Sequence, residues 1–351
     1  MRARGVVTAV LVAALTFCLA GCGVIGRGLH GLDRRGVAPT PNSAPPSHPV
    51  VTGFQPSWGD TTNLDASKAA LTTVAISGID IGEDGTSVTP PSAGVLKQLT
   101  HAHALGKKAE VLLLNYQDGV GFSDNIAASM LGTEANRNAA AASLATVVKN
   151  SGFDGVMFDL ESLSPGEAPK LTKFAAALRL AVGPNIHLDA AIQPSTTPGG
   201  YQRLGYDIPG LLTSLDNVTV MAYDQHGTFE PANPGPVGAL TWQKKVLRAM
   251  LLLAKPGQVD LGVAGYGYRW ASDGVHTVGD IRARRLGLAA GVTPAFDVHT
   301  GEWTSTLPDG QVFWWADAKS IALREQLAAS LGLHGVAVWS LALSDALPVA
   351  G

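Results

Sequence analysis

The sequence predicts a (β/α)8 barrel, and three observations carry that reading. Strand-like apolar segments alternate with Ala- and Leu-rich helical ones from Val50 to Trp339. Eight such strands fit into about 300 residues, which is the span this architecture needs. The rival is a doubly wound open sheet, but no G-x-G-x-x-G turn follows the first strand.

In chain order the expected strands are Val50–Phe54, Thr73–Ile79, Ala109–Leu114 and Val156–Leu160, then His187–Ile192, Val218–Met221, Asp260–Ala264 and Gly335–Trp339. Each is a short apolar run, as strands covered on both faces require. Between them Asn136–Lys149, Ala168–Val182, Trp242–Leu253 and Ala318–Leu331 read as helices. The stretch of about 272–311 is too long for an ordinary connection and contains the strand-like pieces Pro294–Val298 and Glu302–Ser305. It is expected to be a small α+β insertion between the seventh and eighth strands.

The N-terminus speaks to location. Arg2 and Arg4 precede an apolar run from Val6 to Leu19, too short to span a membrane core of ~30 Å but suited to a signal peptide. Leu19-Ala20-Gly21-Cys22 then resembles a bacterial lipoprotein cleavage box, which makes Cys22 the expected lipidation site and residues 1–21 the signal. The alternative is an ordinary signal peptide with incidental cysteines. Residues 22–49 are rich in Pro, Gly and Ser and read as a disordered tether, leaving 50–351 as the domain. The expected location is therefore the outer face of the cytoplasmic membrane, held by lipid. With only two cysteines, one of them in the signal, no disulfide is available, so the domain must be held by its core. A net charge of −3 offers no basic face for nucleic acid.

The densest chemical signal is Asp154-Gly-Val-Met-Phe-Asp159-Leu-Glu161. Alternation along a strand puts Met157, Asp159 and Glu161 on one face, with Glu161 last, at the rim where such barrels keep their chemistry. Two carboxyls on one buried face acquire split pKa values, which a general acid at neutral pH needs. The bland alternative is a pair of loop acids or helix caps, and the apolar Val156, Phe158 and Leu160 around them argue against it.

DGVMFDLE resembles the DGxDxDxE signature of the family 18 glycoside hydrolases, the chitinase-like barrel enzymes. Met221-Ala-Tyr223-Asp224, Gly265-Tyr-Gly-Tyr268-Arg-Trp270 and Gly335-Val-Ala-Val-Trp339 resemble that family's later strand ends and fall in the right order. Gln225-His226, Pro234-Gly-Pro-Val and the stretch from Val312 to Ser320 look like the branch containing spore-germination, cortex-lytic N-acetylglucosaminidases. The resemblance covers Val50 to Leu343.

It implies a retaining, substrate-assisted glycosidase acting on β-1,4-linked N-acetylglucosamine glycans of the peptidoglycan or chitin type, with no metal or cofactor. Glu161 would be the acid, and Asp159 would orient the substrate's acetamide. Tyr223 would bind the acetamide oxygen, Asp224 would line the site, and Trp339 would stack on the sugar. Gln193 and Asn115, at strand ends, are candidates to touch substrate, with hydrogen-bonding a loop as the alternative. Trp58 and Trp270 are candidate sugar platforms, with packing as the alternative. The sequence departs from the signature at Met157, where the family pattern has an aspartate able to share a proton with Asp159. That departure keeps a second reading open, a catalytically inactive carbohydrate-binding lipoprotein.

Overall fold

The computed structural model of the chain describes residues 49–349. The signal segment 1–21, the expected lipidation site Cys22 and all of the tether but its last residue lie outside them.

Eight parallel strands close into a barrel: β1 (Val50–Pro56), β2 (Thr73–Asp80), β3 (Lys108–Leu114), β4 (Gly155–Asp159), β5 (His187–Ile192), β6 (Asn217–Val220), β7 (Val259–Ala264) and β8 (Gly335–Trp339). Their order follows the sequence, and β8 returns to β1 through the pairs Val50↔Gly335 to Gly53↔Val338. The main helices around them are α1 (Ala93–Ala104), α2 (Glu134–Ser151), α3 (Ala168–Val182), α4 (Leu240–Met250), α5 (Asp280–Ala289) and α6 (Ala318–Leu331). Local chemistry sets their ends. The Thr133 hydroxyl caps α2 by accepting from the Asn136 amide at 3.0 Å, and Gly152 stops the helix with φ 84°. Asp317 caps α6 by accepting from the amides of Lys319 and Ser320. Lys319, exposed on the first turn of α6, has its Nζ 3.7 Å from the centre of the Phe296 ring.

The insertion is a five-stranded antiparallel sheet with α5 against it, ordered Gly274–Val278, Gly267–Ala271, Val312–Trp315, Glu302–Thr306, Ala295–Asp297. It reaches beyond 272–311 because Gly267–Ala271 and Val312–Trp315 pair with each other at its centre. A buried ion pair ties it to the barrel. Arg324 of α6 meets Glu302 at 3.3 Å, and Glu302 accepts from the amides of Val237 and Gly238. Arg324 also donates to the carbonyls of Gly238, Thr300 and Gly301, so one side chain fixes three segments.

Inside the barrel, the middle layer is apolar: Phe54, Ala75, Leu112, Met157, Ala191, Met221 and Ala337. Below it, at the end where the strands begin, the filling turns polar. Glu110, Asp189 and Asp260 are buried there. His187 meets Glu110 at 2.6 Å, and His334 meets Asp260 at 2.9 Å. Thr219 donates to Asp189 and Asn217 to Asp260. Glycine makes room for this layer, since a Cβ on Gly155 would stand 2.7 Å from Glu110 Cγ.

Desolvation pulls the His187 pKa down, but Glu110 and the nearby aspartates outweigh it and hold it up at about 10, against an ordinary 6.5. A raised imidazole stabilises the fold fully below its unfolded pKa, and that gain is lost as pH climbs through the folded value. His187→Ala should therefore cost on the order of 2 kcal/mol at pH 6, below the ~3–5 kcal/mol of a fully buried pair because His187 keeps 30% exposure. Urea unfolding of parent and variant should show the gap closing toward pH 10. A gap independent of pH would mean that His187 acts only by packing.

Candidate active site

The strands' C-terminal ends open into a cleft whose floor is built around β4. Asp159 is the last residue of that strand and is buried at 7% exposure, on the same face as Met157 beneath it. Its Oδ1 has no hydrogen-bond partner among the described residues. Burial, reinforced by the negative charge of Glu161, raises its pKa well above the usual carboxylate range.

Glu161 stands two residues further on, half-buried at the rim. Gln193 Nε2, just past β5, donates to its Oε2 at 2.7 Å. Burial pushes the Glu161 pKa up to about 7; the Gln193 bond opposes this and the Asp224 carboxylate adds to it. The backbone beneath is held from two sides. Asn115 receives the Glu161 amide at 3.0 Å and donates to its carbonyl at 2.9 Å, while Tyr206 donates to the Leu160 carbonyl. Asn115 also donates to the Ser123 carbonyl, so its amide is committed to backbone. Of the two roles expected for it, the structure displays loop-holding. Ser162 follows with φ 59°, a left-handed conformation that this double grip sustains.

The opposite wall comes from the loop after β6. Tyr223 is half-buried, and burial keeps its phenol protonated. Asp224 takes φ 54° and points its Oδ1 at two phenols, accepting from Tyr266 and, at 2.8 Å, from Tyr268. Burial raises its pKa, and the two tyrosine bonds oppose that rise. Sequence reasoning quoted these tyrosines within a motif but gave them no task. Their i, i+2 spacing, which puts both on one face of an extended segment, was the available signal. His226 pairs with Glu230 within its own loop at 2.9 Å.

The aromatic candidates separate. Trp339 ends β8 half-buried, edge-on to Phe54 at 5.2 Å between ring centres, between the barrel's inner layer and the insertion. Trp58, just past β1 on the same rim, is 78% exposed. Trp270 is 4% exposed and packs against Tyr268 with its Nε1 toward the Glu230 carbonyl, which makes it part of the insertion's core. Among the described residues no group of three His, Cys, Asp or Glu is placed to share a metal ion. What the floor offers is carboxyl chemistry: one acid poised near neutrality at the rim, a second sunk below it with its pKa raised by burial, and a third braced by phenols.

Known proteins give this geometry its context. The chain is 25% identical over 259 residues to an uncharacterized glycosylase of Bacillus subtilis, YvbX, covering 70% of this chain and 74% of that one. It is 22% identical to the cortical fragment-lytic enzyme of the same organism, covering 74% of this chain and 62% of the relative. Among solved structures, the spore cortex-lytic enzyme SleL of Bacillus cereus superposes with a TM-score of 0.76 at 18% identity, over 84% of this chain and 71% of that one. A chitinase from Chromobacterium violaceum superposes at 0.75 with 21% identity, over 85% and 95%. These likenesses concern the fold. The family itself follows from the match of the glycosyl hydrolases family 18 model to residues 50–343, the whole barrel with its carboxyl floor, and the chain therefore belongs to that family of glycosidases.

Proposed function

We propose that this glycosidase cleaves β-1,4-linked glycans containing N-acetylglucosamine, of peptidoglycan or chitin type, with retention and with the substrate's own acetamide as nucleophile. The observation that carries this reading is the pairing of a rim acid near neutrality, Glu161, with a sunken Asp159 whose pKa burial raises and whose buried Oδ1 has no partner among the described residues. Asp159 at 7% exposure is placed to receive an acetamide N–H rather than to attack an anomeric carbon.

In the first step Glu161 gives its proton to the glycosidic oxygen. The acetamide carbonyl oxygen bonds to the anomeric carbon as the glycosidic bond breaks, leaving an oxazolinium ion. Asp159 accepts a hydrogen bond from the acetamide N–H, orients the group and stabilises the positive charge that develops. Tyr223 hydrogen-bonds the acetamide oxygen, and Trp339 supports the apolar sugar face. Water then adds to the anomeric carbon, the bond to the acetamide oxygen breaks, and Glu161 takes the water's proton. Export and lipid attachment at Cys22 belong to the same proposal. They rest on the signal-like N-terminus and would place the enzyme beside wall glycan.

Met157 favours a second reading. An apolar side chain lies under Asp159 in the barrel's middle layer, where the family signature has a carboxylate. A sugar-binding protein without turnover would tolerate that exchange.

Glu161→Gln should lower turnover of N-acetylglucosamine oligomers by about 10²–10⁴-fold, the usual share of a general acid, with affinity within a few-fold of the parent. Two proteins that bind equally and cleave not at all would favour the binding reading. For the parent, kcat/KM should fall with rising pH above about 7, because the acid must be protonated and its pKa lies there. A basic limb near pH 4–5, the range of an unperturbed Glu, would mean that the floor is not dry. Met157→Asp should reshape that profile and cost about 2–4 kcal/mol in unfolding free energy, since it adds a third carboxyl to the buried strand face. An unchanged profile would reduce the position to packing.

A further inference from the structure

The two ends of the barrel differ sharply in charge. Because the strands are parallel, every segment leading from a strand into a helix opens at the cleft end, and every segment leading from a helix into a strand lies at the base. The cleft-end segments of the barrel, the insertion aside, carry Asp60, Glu83, Asp118, Glu161, Asp224 and Glu230 among their acids, against Arg203 as their one Lys or Arg. The base segments and the helical turns adjoining them reverse this with Lys68, Lys107, Lys108, Lys149, Arg248 and Lys255. None of these six cations is in an ion pair among the described residues. The acids that reach the surface at this end, Asp65, Asp154 and Asp216, are each held within 3 Å by His101, His103 and Arg179, while Glu110, Asp189 and Asp260 are buried inside the barrel. So in a chain of net charge −3 the surface cations of the base outnumber its surface acids.

The same end exposes leucines. Leu180, in the last turn of α3, is 86% exposed, and Leu252, just past α4, is 75% exposed. Beside Leu180 an apolar groove between α2 and α3, lined by Phe153, Val182 and Ile186 with Lys149 among its walls, opens at this edge. Leucines flanked by unpaired lysines match the interface of an anionic bilayer, where the apolar tips sink and the cations meet headgroup phosphates. A purely polyanionic partner would use the cations and leave the leucines unexplained. Val50, where β1 begins, is also at the base, so the chain between the domain and Cys22 leaves from this end.

We propose that the barrel's base is a docking surface for an anionic lipid bilayer, which turns the catalytic cleft away from the membrane. The inference rests on the reading of the chain as exported and membrane-attached. It adds to that reading that the domain itself, and not only an acyl chain, recognises the membrane.

The test uses the chain from Gly23 onward, which holds the whole barrel and lacks the apolar signal run. It should co-sediment with phosphatidylglycerol-containing vesicles and not with pure phosphatidylcholine, and salt should weaken the binding. At about fivefold per cation near the surface, replacing Lys107, Lys149 and Lys255 together by Gln should weaken binding roughly a hundredfold. Leu180→Ser with Leu252→Ser should weaken it as well, and both variants should keep parental cleavage or binding of soluble N-acetylglucosamine oligomers. No vesicle binding by the parent, or binding that survives both variants, would overturn the proposal. Binding to isolated anionic wall polymer but not to vesicles would also overturn it. Labelled palmitate fed to cells reads Cys22 alone: an unacylated chain whose barrel still binds vesicles would discard the anchor and keep the surface.

Discussion

Three carboxyl groups drawn out of water around one cleft floor are the constraint that organises this protein. Asp159, Glu161 and Asp224 all sit where burial raises their pKa. A carboxylate without partners in such a place costs several kcal/mol, so each must be braced or kept protonated. The fold uses both answers. Asp224 is braced by two phenols from the insertion, Glu161 is steadied by Gln193, and burial beside Glu161 favours the protonated form of Asp159. The insertion is thus part of the floor, since without Tyr266 and Tyr268 the Asp224 side chain would lose the hydrogen bonds that offset its desolvation. The buried Arg324–Glu302 pair matters for the same reason. It holds the loop after β6 against the insertion and α6, and so fixes the distance across which those phenols reach.

The barrel separates two kinds of polar interior with an apolar layer. Above Met157, Leu112 and Ala191 burial raises the pKa of each carboxyl. Below them Glu110 and Asp260 are matched by imidazoles, while Asp189 accepts from Thr219. The base is a pairing of charges that stabilises closure, and the top is a shortage of pairing that leaves protons available for transfer. The same parallel strand geometry produces both, because it sends all strand starts to one end and all strand finishes to the other.

Much of this was legible in the sequence. The eight barrel strands are short apolar runs, and two of them, His187–Ile192 and Gly335–Trp339, coincide with the expected spans. A strand covered on both faces leaves a continuous apolar signal that needs no partner to be recognised. The insertion was less legible, since Gly267–Ala271 and Val312–Trp315 become strands only by pairing across 40 intervening residues. In the site, Asp159 was readable from alternation along β4 and Glu161 from its place two residues past it, while Asp224 came from the resemblance after the sixth strand. The Asn115 grip on the Glu161 backbone was not, because it joins residues 46 apart through backbone atoms that any sequence shares. Trp270 shows a similar limit: its identity suits a sugar platform, but only its neighbours reveal that both sequence and fold have packed it away.

Met157 brings these threads to one point. A carboxyl there would share a proton with Asp159 and let it lie lower, ready to swing between two partners. Methionine offers neither charge nor hydrogen bond, so nothing below Asp159 competes for its proton, and desolvation together with Glu161 sets its titration alone. Under the proposed acetamide mechanism, the positive charge that Asp159 meets is the one that develops on the substrate. The apolar layer of Phe54, Leu112, Met157 and Met221 offers the Asp159 carboxyl no proton acceptor from below. On this chain, then, the titration of Asp159 depends on its burial and on the cleft side of the barrel, where Glu161 stands.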